Sequence, residues 1–109
     1  MAKKVILDAI NYFEKQLEQT GLHVSKVILF GSQAKGEATE DSDVDIVVLS
    51  DDFRNKDIFE RVRLTMDAEI LTIKKFMIPF DIITMTPEEF ESGSSLVGLY
   101  ASEGEVVYG

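Results

Sequence analysis

A chain of 109 residues with 45% apolar side chains has the size and composition of one globular domain, 1–109, with no room for a second. Twenty acidic against eleven basic residues give a net charge of -9, which argues against nucleic acid as direct substrate and suits cations or a basic partner. There is no cysteine, no apolar run of the roughly 20 residues that span a bilayer, and Asp8 comes too early for a signal peptide, so a membrane-free protein of the cytoplasm is expected.

Residues 3–19 predict an amphipathic helix, with Ile6, Ile10, Phe13 and Leu17 on one face and Gly21 placed to end it. His23, the only histidine, reads as a capping or surface residue of that turn. Val24 to Phe30 is short, apolar and β-branched, the pattern of a buried strand. Gly31 and Ser32 follow at once, then a segment from Gln33 to Ala38 with room for one or two helical turns. Val44 to Leu49 predicts a second buried strand, entered through Asp43. A long helix over 56–76 follows, and Pro79 is placed to stop it. Its stripe of Phe59, Val62, Met66, Ile70, Ile73 and Met77 predicts the core face, with Leu64 and Leu71 widening the apolar arc. Phe80 to Met85 predicts a third strand carrying Asp81. Thr86-Pro87-Glu88-Glu89 is a helix opening with an N-cap, a first-turn proline and a capping-box glutamate. Ser92 to Ser95 interrupts that helix, which is expected to resume through Leu99, and Val106 to Tyr108 ends the chain as a short strand. Helices alternating with strands make the class α/β, with helices packed on a central sheet.

Side chains alternate faces along a strand, so Asp43 and Asp45 point the same way, roughly 6–7 Å apart. Alone, an Asp-x-Asp is more often two solvated residues at a strand end. Here both open an otherwise apolar strand, where like charges repel and burial raises the cost. A divalent cation reverses that problem, and paired carboxylates suit Mg2+. Gly31-Ser32, alone an ordinary tight turn, stands where a strand gives way to a helix, a place where backbone N–H groups favour a phosphate. If the third strand neighbours the second, Asp81 reaches the same pocket, and three carboxylates can hold two ions roughly 3.5–4 Å apart.

The stretch "GSQAKGEATEDSDVDIVVLS" resembles the signature of the DNA polymerase β-like nucleotidyltransferase superfamily, matching at Gly31, Ser32, Ala34, Gly36, Ser42, Asp43 and Asp45. "PFDIITMTPEEF" resembles that superfamily's later strand, with its third carboxylate at Asp81. At this length the chain is similar to the minimal nucleotidyltransferases (MNT) paired with HEPN-domain proteins. The resemblance implies a small mixed β-sheet flanked by helices. It implies Asp43, Asp45 and Asp81 as catalytic metal ligands for Mg2+, two ions in all, and Asp81 as general base. Gly31, Ser32, Lys35 and Ser42 would hold the nucleotide donor, ATP. Lys35 departs from the arginine of many members, keeping the charge but losing the bidentate fork.

The function so implied is transfer of AMP from ATP to a hydroxyl of a partner protein, as antitoxin to an HEPN-type toxin in a hetero-oligomer. A catalytically weak module that neutralises its partner by occlusion is the alternative. A nucleotide-sensing domain would keep the phosphate loop without needing Asp81.

Overall fold

The computed structural model describes residues 3–36, 43–92 and 104–109. Helix α1, Lys4–Gln19, buries Ile6, Ala9, Ile10, Phe13 and Leu17, the face its spacing predicts. It ends through Gly21, whose N–H donates to the Glu18 carbonyl and whose φ of 94° turns the chain so that Leu22 N–H reaches that of Leu17. His23 is a surface residue: its backbone N–H donates to the Asp52 carboxylate at 2.8 Å, and its carbonyl accepts from Ser50 Oγ at 2.6 Å.

Among the described residues four strands follow: β1 Lys26–Phe30, β2 Val44–Leu49, β3 Phe80–Met85 and β4 Glu105–Tyr108. They form one sheet in the order β3-β2-β1-β4, with β2 and β3 parallel and the other pairs antiparallel. The mixed sheet is therefore as the resemblance implies. Strand β1 starts later than its sequence pattern predicts, since Val24 is buried by packing before pairing begins. Helix α2, Gly31–Lys35, begins at Gly31 rather than Gln33 and closes on left-handed Gly36. Helix α3, Ile58–Phe76, opens on an Asp57–Glu60 capping box and ends at left-handed Met77, two residues before Pro79. Helix α4, Pro87–Glu91, has the predicted Thr86–Glu89 box. The expected interruption at Ser92 to Ser95 and the resumption through Leu99 lie largely outside the described residues.

The sheet has two faces by its period of two. Val27, Leu29, Val44, Ile46, Val48 and Phe80 face the larger core with α1. Ile28, Phe30, Val47, Leu49 and Met85 form a smaller cluster on the other side, with Ile83 and Phe90 packed against it. Asp45 and Asp81 alternate with the large-core residues and so belong to this second face.

Helix α3 corrects the sequence expectation. Phe59, Val62, Met66, Ile70 and Met77 are exposed, not core; the helix buries Thr65, Ala68 and Thr72 instead. Leu64 and half-buried Ile73 do pack on the core. The threonines enter without stranding a hydroxyl, since Thr72 Oγ1 donates to the Ala68 carbonyl at 2.7 Å and Thr65 Oγ1 to that of Val62 at 3.2 Å. Among the described residues no helix is long and apolar enough to cross a membrane.

One buried charge site makes stability depend on pH. Glu14 is 3% exposed, and its Oε2 finds no hydrogen-bond partner among the described residues. Burial, then a hydrogen bond and repulsion from Glu18, push its carboxyl up to about 7. The unfolded chain releases that proton near 4.5 while the folded chain keeps it, so stability is lost as pH rises from there to about 7. The loss totals about 3 kcal/mol. Glu14→Gln is expected to melt higher than wild type at pH 8 and to lose most of that advantage at pH 4.5; equal melting temperatures at pH 8 would contradict this.

Candidate active site

The second face of the sheet brings the acidic residues of two strands together. Parallel pairing sets Asp45 directly beside Asp81, on strands about 4.8 Å apart. Val44 N–H donates to the Pro79 carbonyl at 2.9 Å, which ties the entry of β2, and Asp43 with it, to the entry of β3. Asp45 is half-buried, whereas Asp43 and Asp81 are exposed. The Asp45 carboxyl is held above the ordinary range by burial first, then by the charges of Asp81 and Asp43. All three aspartates singled out from the sequence thus meet electrostatically at one end of the sheet. Among the described residues no group of three or more His, Asp or Glu is already gathered to enclose a metal ion.

Gly31 closes the site from the first strand. Phe30, the last residue of β1, pairs with Asp45, so the chain turns into α2 directly above that carboxylate. Gly31 has φ 73°, and a Cβ there would lie 2.6 Å from Asp45 Oδ2. The left-handed turn favours glycine, and any side chain there would also have to displace the Asp45 carboxylate. Ser32 follows half-buried, and Lys35 is exposed on the last turn of α2. Ser42 lies outside the described residues.

Sequence reasoning missed Glu69. It projects half-buried from α3, and its carboxyl is raised by burial first and then by the charge of Asp81. Glu69 also lines a groove of about 450 Å³ between α3 and the edge strand β3, with Arg61, Val62, Thr65, Ile82 and Thr84. The groove therefore runs beside the carboxylates rather than over them. No local sequence pattern marks Glu69, because its position depends on how α3 is rotated against the sheet.

Among curated proteins none matches this chain. Solved structures that share its fold include the following three. A toxin–antitoxin crystal structure with AMP-PNP has a TM-score of 0.65 and 21% identity, over 91% of this chain and 72% of that one. A mutant of the toxin–antitoxin MntA-HpeT has a TM-score of 0.62 and 18% identity, over 91% and 71%. A putative nucleotidyltransferase from Sulfolobus solfataricus has a TM-score of 0.54 and 18% identity, over 97% and 87%. The nucleotidyltransferase domain model matches residues 10–102, a span that holds Gly31, Ser32 and all three aspartates. By that match, and with a fold to suit it, the chain belongs to the nucleotidyltransferase domain family.

Proposed function

We propose that this chain transfers AMP from ATP to a hydroxyl of a partner protein, and that it acts as antitoxin to an HEPN-type toxin. The observation that supports the reading most is Asp45 set beside Asp81 on paired strands and against Gly31, with Asp43 two residues before it. The MntA-HpeT relative was solved with two aspartates, two positions apart, replaced by glutamate, and Asp43 and Asp45 have that spacing.

These residues fit Mg2+. Burial first, then the charges of Asp81 and Asp43, raise the Asp45 carboxyl, and a divalent cation relieves that conflict. Asp43, Asp45 and Asp81 would hold the metal, two ions as the family resemblance implies. Bound there, Mg2+ supplies neutralisation of the triphosphate and of the charge that develops during transfer. Gly31, Ser32 and Lys35, with Ser42, would hold the triphosphate. The acceptor oxygen bonds to the α-phosphorus, the bond to the β-phosphate's bridging oxygen breaks, and pyrophosphate leaves. Exposed Asp81 accepts the proton of the attacking hydroxyl.

The net charge of -9 suits a basic partner, whose association would weaken with salt. Incubating the chain with its partner toxin, ATP and Mg2+ is expected to add one or more adenylyl masses to the toxin, read by intact mass spectrometry. Neutralisation of the toxin with no mass shift under any nucleotide would overturn the transfer reading in favour of occlusion.

A further inference from the structure

The apolar row on α3 is unaccounted for by the core and by the site. Seven of the nine exposed large apolar side chains among the described residues are Ile58, Phe59, Val62, Met66, Ile70, Leu71 and Met77, all on this helix or its cap. Scattered exposed apolar residues are ordinary, but a continuous row along a 19-residue helix is not.

We propose that this face of α3 is a twofold interface for a second copy of the chain, helix antiparallel to helix, with Met66 on the axis. The spacing is self-complementary. From Phe59 through Val62, Met66 and Ile70 to Ile73 the steps are three, four, four and three residues, the same read in either direction. Antiparallel pairing therefore sets Met66 against Met66, Val62 against Ile70 and Phe59 against half-buried Ile73.

Charge selects the same partner and direction. At about 100° per residue, Glu60, Arg63, Asp67 and Lys74 all fall on one flank of the row. Reversing one helix sets Glu60 opposite Lys74 and Arg63 opposite Asp67, so each acid meets a base twice over. Parallel pairing would instead turn this flank away from its copy, and the acids and bases would not meet. Antiparallel helices also oppose their dipoles. Two chains of charge -9 repel in general, yet α3 carries Arg61, Arg63, Lys74 and Lys75 against Glu60, Asp67 and Glu69. With four bases against three acids, this helix repels a second copy less than the acidic chain as a whole.

Sedimentation velocity on the full chain tests the state, and two sets of variants test the geometry. The wild type is expected to sediment as a dimer in a concentration-dependent way. Arg63→Glu should raise the dissociation constant about tenfold, and Arg63→Glu with Asp67→Arg should restore it. The chain has no cysteine, so Met66→Cys under mild oxidation should give a disulfide-linked dimer, while Lys4→Cys on exposed α1 should not. A chain that stays monomeric at every concentration would overturn the proposal. So would Met66→Cys linking no faster than Lys4→Cys, or a charge swap that fails to restore association. In the monomeric case, the face serves a different protein or none.

Discussion

Gly31→Val is expected to destabilise the fold by about 2–4 kcal/mol and to remove nucleotide binding with it. Sequence alone reserves this glycine for the approach of a phosphate. The structure adds two constraints of its own. A φ of 73° strains any L side chain, a β-branched one most, and the new Cβ would meet Asp45 Oδ2 at 2.6 Å. Because the clash is with a carboxylate of the site, stability and binding should fall together instead of binding alone. A double-mutant cycle of Gly31→Ala with Asp45→Ala, read by urea denaturation, separates the two costs. The strain in φ remains after Asp45 is shortened, whereas the clash with its carboxylate does not. Coupling of about 1 kcal/mol or more is expected, and strictly additive losses would show that the contact is not the cause.

Asp81→Asn is expected to slow nucleotide transfer to the partner by about 10²–10⁴-fold, the range for removing a positioned general base. Asp81 is exposed on edge strand β3, and the amide keeps the shape of the acid. Stability should stay within about 0.5 kcal/mol of wild type, and the complex with the partner should persist. Initial transfer rates measured beside sedimentation of the complex check both halves. A rate within a few-fold of wild type would remove Asp81 from the reaction.

The strand pair that carries the acidic residues was legible because two signals agreed there. Apolar runs bounded by Gly, Ser and Pro marked β2 and β3, and a single long helix between them favoured parallel neighbours. In the register those strands take, Asp45 and Asp81 fall side by side. Helix α3 was legible in extent but not in orientation. It carries one large apolar row and one row of small residues, Thr65, Ala68 and Thr72, and the small row is the one buried. Periodicity weighs side chains by hydrophobicity, and it cannot tell which of two rows the core will take. Glu69 was hidden for the same reason, since its approach to Asp81 follows from that rotation. Glu14 was hidden differently: it reads as solvated polar filler between Phe13 and Leu17, and only the packing around it shows the burial.

The central claim is that Asp43, Asp45 and Asp81 form a divalent-metal site for a nucleotide. Burial, then the charges of Asp81 and Asp43, raise the Asp45 carboxyl in the folded chain, so the metal-free protein loses stability as pH rises from the unfolded group's value through that raised pKa. Replacing Asp43 and Asp45 by Asn should relieve the repulsion while removing the ligands. Calorimetric titration of Mg2+ and of Mn2+, with and without a non-hydrolysable ATP analogue, tests this most directly. Wild type is expected to bind both metals, more tightly with the nucleotide present. The Asp43→Asn, Asp45→Asn variant is expected to remain folded and to bind neither. Undiminished metal affinity in that variant would contradict the account.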